Sequence, residues 1–333
     1  MRKRGFSFGP ILQTRDTERM RGQGFADPRH GKVVWRPVKS VWISTMTGVA
    51  LVFGPMTISW PALAVFVGLS AITLCAGHSV GMHRLMIHRS FECPLWLERA
   101  LVYLGVLVGM AGPRGMMAQH DIRDWAQRQP ACHPYLRHGA SFWTDYLWQC
   151  HGDLVLDRAP TFRPDERFAR DPVLEFLERT WMAQQVPLAI VLYLLGGWAF
   201  VVWGIAVRVS VCVTGHWLIG HFAHHSYGED RNAMSFEVAD MAVQGRDVPL
   251  AGLISMGEAW HNNHHAFPTS AKMGVLPGQV DLGWLFISVL RRCGLAWDVK
   301  TPEVLARPGS IIRLPGGGTG CPVLRGFGVL SGR

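Results

Sequence analysis

Residues 40–83 read SVWISTMTGVALVFGPMTISWPALAVFVGLSAITLCAGHSVGMH, 44 positions without a Lys, Arg, Asp or Glu. Two helices of about 20 residues fit in that length, each able to cross roughly 30 Å of hydrocarbon. Ser59-Trp60-Pro61 marks the turn between them. Further along, Thr180 to Gly228 is uncharged except for Arg208 and reads as a second hairpin turning near Gly196-Gly197. Arg208 fits that placement if it snorkels, faces the bundle or lies in a longer turn. The uncharged stretch Ala100 to Pro113 is too short to span, so a buried, interfacial or re-entrant helix is expected there.

Composition agrees with a membrane setting. The 333 residues are 49% hydrophobic and 17% charged, against about 25% charged in an ordinary soluble domain, and they include 14 Trp. Lys32, Arg36 and Lys39 precede the first hairpin and Arg84 and Arg89 follow it, which places both outer ends on the cytoplasmic side. The formal charge of +9 suits contact with anionic lipid better than nucleic acid. No secretory signal peptide is read in the N-terminus. The basic segment 1–34 is expected to be mobile to about Arg29, and the Pro/Gly-rich tail 303–333 to be disordered. Seven Cys without a CxxC pair read as free thiols, and no nucleotide-binding glycine pattern precedes a helix.

The chemistry is carried by histidines. In Gly257-Glu258-Ala259-Trp260-His261-Asn262-Asn263-His264-His265-Ala266-Phe267-Pro268, three imidazoles at i, i+3 and i+4 share one helical face and make a ready ligand set for iron or zinc. His83 and His88 lie at the end of the first hairpin. Five residues separate them by about 140° on an ideal α-helix, so one face cannot aim both at one ion. A distorted helix end or a two-metal cleft would resolve this. His30, His133, His138 and His151 read as ordinary interfacial residues.

Gly81-Met-His83-Arg-Leu-Met-Ile-His88-Arg-Ser-Phe and the 257–268 stretch resemble the first and last histidine boxes of membrane fatty-acid desaturases of the acyl-CoA type. Asp281-Leu-Gly-Trp-Leu-Phe-Ile and Gly294-Leu-Ala-Trp-Asp298-Val-Lys are similar to that family's C-terminal signature, so the likeness covers about 35–302. The resemblance implies an all-α integral membrane protein of the bacterial inner membrane, with four transmembrane helices in two hairpins and a cytoplasmic helical cap carrying a di-iron site. It implies an oxidoreductase that uses dioxygen and two external electrons to place a double bond in a long acyl chain linked to CoA, carrier protein or lipid. Ferredoxin, rubredoxin or a b-type cytochrome with its reductase would supply the electrons, and Arg163, Arg167 and Arg170 offer basic residues for docking such a donor.

Carried over by motif, the iron ligands would be His83 and His88, then His261, His264 and His265. The middle box departs from H-x-x-H-H: His120 matches its first histidine, but Arg123 and Asp124 stand where the other two would be. Asp124 at i+4 from His120 can ligate, or can join Arg123 in a local electrostatic network. An extra ligand near the end of the last span is expected from His216 or His221. His221, His224 and His225 also spell H-x-x-H-H and are open substitutes. The departure keeps a membrane di-iron hydroxylase or alkane monooxygenase in view, with a membrane scaffold or metal transporter as the non-enzymatic reading.

Overall fold

The computed structural model describes residues 17–22, 24–225, 234–239, 241, 243–304 and 311–314. Helix α1, Pro37–Phe53, starts on a proline and ends at Gly54. A short 3-10 turn, Pro55–Thr57, leads to Ser59, whose hydroxyl accepts from the Ala62 amide at 3.3 Å and caps the next helix. The turn therefore falls where Ser59-Trp60-Pro61 suggested. Helix α2, Trp60–Ile87, runs for 28 residues. At about 1.5 Å per residue that exceeds the roughly 30 Å of a bilayer's hydrocarbon core.

From Thr73 to Ile87 this helix is π-helical, and its last bond runs from the His88 amide to the His83 carbonyl at 3.0 Å. Hydrogen bonds from i to i+5 bring residues five apart onto one side. His78, His83 and His88 consequently form one row. The 140° separation expected for an α-helix does not arise.

Two glycines explain how this segment packs. A Cβ at Gly77 would lie 2.3 Å from the Gly105 nitrogen, and one at Gly81 would lie 2.6 Å from the Leu101 carbonyl carbon. The backbone of α2 thus touches that of α3, Leu95–Val106, directly. Leu97, Leu101, Val102 and Val106 of α3 are buried, matching the expected short buried helix. Because neither backbone can retreat from a packed core, Gly77→Ala is expected to cost about 1–3 kcal/mol. Thermal melting of the detergent-solubilised protein checks this, and a wild-type melt would contradict the close approach.

The polar middle of the chain folds into α4, Pro113–Gln127, α5, Phe142–His151, α6, Glu166–Ala169, and α7, Pro172–Thr180. Helix α8, Gln185–Val201, breaks at Gly196 and Gly197. Gly197 has φ +66°, ψ −157°, a conformation open to glycine alone, and this makes the expected turn. A π-helical piece, Val202–Val207, then leads into α9, Arg208–His224. Among the described residues Trp60–Ile87 and Gln185–His224 are long and apolar enough to cross a membrane, while α1 is apolar but shorter. Trp60, Leu51, Leu194, Leu195 and Trp198 are largely exposed on these helices. Such a belt is stable against lipid rather than water.

Arg208 faces the bundle. It is fully buried and donates to the carbonyls of Gly204 and Leu107, both at 2.6 Å, and to Gln185 Oε1 at 2.9 Å. The C-terminal part contributes α10, His261–Ala266, and α11, Leu282–Arg292.

The molecule is mostly helical but not all-α. Strands β1, Met20–Arg21, and β2, Asp27–Trp35, pair respectively with β4, Thr161–Phe162, and β3, Gly152–Arg158; β5, Phe236–Val238, pairs with β6, Ile311–Arg313. The 9-residue β2 alternates half-buried and exposed positions over much of its length, so part of the basic segment expected to be mobile is a paired strand. Arg19 also fastens this segment, with two nitrogens on the Asp121 carboxylate at 2.6 and 3.0 Å and one on the Ile87 carbonyl at 2.7 Å. Residues 1–16 and 315–333 lie outside the described residues, as does most of the expected tail.

Candidate metal centre

Four imidazoles from three helices converge at the end of α2. Nε2 of His88 lies 3.2 Å from Nε2 of His83 and 3.2 Å from Nε2 of His120 on α4. His264 of α10 completes the group, its ring centroid 4.8 Å from that of His83 and 4.7 Å from that of His88. The proton count makes this a group that could hold a cation. His83 Nδ1 faces the Glu258 carboxylate at 2.5 Å and His120 Nδ1 faces Asp121 at 3.4 Å, so those nitrogens carry the protons and both Nε2 atoms carry lone pairs. One proton on His88 cannot satisfy both. His264 Nδ1 is also buried without a hydrogen-bond partner.

A second group joins His224, the last residue of α9, to His261 and His265. Their Nε2 atoms form a triangle with sides of 3.0, 3.1 and 3.2 Å. His224 Nδ1 donates to the Gly220 carbonyl at 3.0 Å, which leaves its Nε2 as a lone pair. A triangle this small suits three imidazoles sharing an ion at about 2 Å each. Burial, then the neighbouring imidazoles, push His261 and His264 well below the ordinary histidine range, and burial lowers His265 to about 3. All are held in the neutral form that binds metal.

Helix α10 serves both groups because its residues fan out. His261 and His265, one turn apart, face the second group and His264 faces the first. The two asparagines between them fasten this short helix. Asn262 accepts from the amides of Ser235 and Phe236 and donates to the carbonyls of Phe236 and Gly245, all within 2.9 Å. Asn263 donates to the Met273 carbonyl and Gln279 Oε1 at 2.7 Å.

Glu258 aligns the first group. One oxygen meets His83 Nδ1, and the other accepts from Ser79 at 2.6 Å and lies 3.4 Å from buried Arg84, which also donates to Asp281 at 2.9 Å. Burial alone would raise the Glu258 pKa, but His83 and Arg84 hold its carboxyl well below the usual carboxylate range. A carboxylate behind an imidazole fixes the tautomer and makes the opposite nitrogen a better donor. Glu258→Gln is therefore expected to weaken metal retention about 10- to 100-fold. Metal analysis after chelator dialysis measures it, and wild-type retention would refute the alignment role.

A third cluster is held by hydrogen bonds. Asp145 on α5 is fully buried, and its Oδ2 accepts from His138 Nδ1 at 2.8 Å, Trp217 Nε1 at 2.8 Å and His221 Nδ1 at 2.9 Å. Burial by itself would raise this pKa, yet the donated bonds hold the carboxyl far below its usual range. Arg123 donates to His138 Nε2 at 2.7 Å and to Gln149 Oε1 at 2.8 Å.

Of the residues expected as ligands, His83, His88, His120 and His264 come together in the first group, and His261 and His265 in the second. His221 sits on Asp145. His216 packs edge-on to His78, 5.0 Å between centroids, and belongs to neither group. Asp124 points to Arg128 at 3.1 Å on the half-exposed side of α4, where its charge keeps water and gains a counter-ion. It is away from both groups and does not pair with Arg123. His224, an open alternative in the sequence, supplies the second group. His138, read there as an ordinary interfacial residue, is buried beside it with the rings stacked at 5.6 Å. Nothing in the spacing of His138 and Asp145 signals their meeting with α9. Arg167, a suggested docking residue, is engaged with Glu92 and Glu98.

The family model "Fatty acid desaturase" matches residues 58–272. The chain is 33% identical over 269 residues to an sn-1 stearoyl-lipid 9-desaturase of Anabaena variabilis, covering 79% of this chain and 94% of that one. It is 31% identical over 267 residues to an sn-2 palmitoyl-lipid 9-desaturase of Nostoc sp. (strain 36), covering 79% and 90%. An acyl-CoA 5-desaturase of Anemone leveillei is 30% identical over 251 residues, 75% of each chain. Similarity of this extent, running through the segments that bring the imidazoles together, makes the chain a member of the fatty acid desaturase family.

Proposed function

We propose that this enzyme desaturates a long-chain acyl group esterified in a membrane lipid, at two iron ions held on the cytoplasmic face of the bilayer. His83, His88, His120 and His264 would hold one ion and His224, His261 and His265 the other. The observation that carries the reading is the pair of imidazole clusters whose facing nitrogens have too few protons to satisfy one another. The lipid-linked substrate is favoured by the two relatives named as stearoyl-lipid and palmitoyl-lipid 9-desaturases.

A bound iron pair supplies, with dioxygen and two electrons, an oxidant able to take hydrogens from an unactivated methylene, which side-chain acids and bases cannot do. The chain's own groups prepare the place. Glu258 and Asp121 hold the outward protons of His83 and His120, and the hydrogen bonds of Asn262 and Asn263 keep α10 from shifting. The apolar helices beside the site would lead the acyl chain in from the lipid and exclude water from it. Electrons would come from a separate carrier protein and its reductase. Four spans follow if α1, the first part of α2 and the two arms on either side of Gly196-Gly197 each cross the bilayer. The basic residues at 32, 36, 39, 84 and 89 then put the cap in the cytoplasm.

Expression in a host lacking unsaturated fatty acids, followed by lipid mass spectrometry with double-bond localisation, tests this. Acyl products lighter by two hydrogens are expected. Products heavier by one oxygen would favour hydroxylation instead, the reading that the Arg123 and Asp124 departure keeps alive.

A further inference from the structure

We infer that the two metal positions of this chain are unequal: the His83/His88/His120/His264 position binds its ion first and firmly, and the His224/His261/His265 position binds second and more weakly, with coordination left open. This rests on the reading of both groups as metal positions. Three features separate them. Among the described residues the first offers four imidazoles and the second three. The first is backed by carboxylates, with Glu258 behind His83 and Asp121 behind His120, whereas His224 in the second is backed only by the neutral Gly220 carbonyl. Anionic partners raise the basicity of an imidazole ligand and a peptide carbonyl does so less.

The third feature is how positive charge reaches each position: Arg84 and Arg19 stand behind the carboxylates of the first, whereas at the second a guanidinium is separated from the triangle only by an imidazole. The Arg123 guanidinium sits on His138 Nε2, and the His138 ring lies flat on His224 with 3° between planes. A guanidinium keeps its proton at any physiological pH, so it opposes a dication one imidazole away, an effect that the Asp145 carboxylate on the same ring offsets only in part. The nearest further imidazoles are also engaged. His138 has Nε2 on Arg123 and Nδ1 on Asp145, His221 has Nδ1 on Asp145, and His225 has Nδ1 on the His138 carbonyl at 2.7 Å. None is free to turn either nitrogen named here toward the triangle without breaking a buried bond. An ion held by three imidazoles keeps at least one position for water or another small ligand.

Cobalt(II) titration of the metal-free, full-length protein in nanodiscs, followed by calorimetry and visible absorption, tests the inference. Two steps of one equivalent are expected, the first at least about tenfold tighter. His264→Ala should remove the tight step and leave the weak one, and His261→Ala should do the reverse. Arg123→Gln should strengthen the weak step severalfold and leave the tight step alone, a gain that misfolding cannot mimic. Two ions entering in one indistinguishable step, loss of the tight step in His261→Ala, or an unchanged weak step in Arg123→Gln would each overturn the inequality. Absence of any cobalt binding by protein that melts normally would instead overturn the metal-centre reading itself.

Discussion

Replacing His224 with alanine is expected to bring double-bond formation below about one per cent of the unaltered enzyme, beyond the 10- to 100-fold that an outer-shell partner of a metal commands. The second cluster has three imidazoles, and losing one leaves His261 and His265 facing each other at 3.2 Å. Two ligands one helical turn apart cannot hold an ion in a defined place. Metal content should fall to about one ion per chain, because the first cluster shares no ligand with the second. Asp124→Ala is the control. Its carboxylate pairs with Arg128 at the cap surface, so turnover should stay within about twofold, the scale of a surface ion pair. Lipid profiles and metal analysis of both variants decide the matter. Full activity in His224→Ala, or collapse in Asp124→Ala, would assign the second set of ligands wrongly.

Asp145→Ala should destabilise the folded protein by about 3–5 kcal/mol, the scale for removing one partner from a buried charged network. Its Oδ2 satisfies His138, Trp217 and His221 at once, and Oδ1 accepts from Gln149 at 3.2 Å. Alanine would leave these donors buried without acceptors. Since the cluster joins α5 to the end of α9, His224 should lose its position as well. The pH dependence has a definite sign. The folded pKa lies below the unfolded value of about 3.9, so this contribution is fully present above that value and is lost only as pH falls through the folded pKa. Melting temperatures of wild type and variant should therefore differ by a constant amount from pH 5 to 8. A shift under about 1 kcal/mol, or a gap that closes within that range, would show that the network is not held by an ionised carboxylate.

The long apolar helices were legible because they are written in consecutive residues. Uncharged runs, the proline and glycine turns and the basic flanks are local signals, and the structure turns at Gly54–Ser59 and Gly196-Gly197 accordingly. The 261–265 motif was legible as a set of metal-binding side chains for the same reason, although its rings do not share one face: His264 turns to the first cluster and His261 and His265 to the second. The row of His83 and His88 was visible as residues but not as geometry, since α-helical spacing misdirects the second ring. Only direct contact between α2 and α3 at Gly77 and Gly81 accompanies the π-helical backbone that corrects it.

Strand β2 was missed because its basic composition outweighed a short alternating pattern whose partner lies more than 100 residues away. Separation in sequence also hid the Asp145 cluster, whose members come from α5, the loop between α4 and α5, and α9 more than 70 residues further on. Sequence by itself determined the apolar helices, their turns and the histidine-rich chemistry, because each depends on neighbours within a few turns of chain. Tertiary packing decided that His224 rather than His216 or Asp124 meets the last motif, and that the imidazoles divide four and three. Ligation depends on where side-chain nitrogens from separate helices end within about 2 Å of a common point, and no local spacing contains that distance.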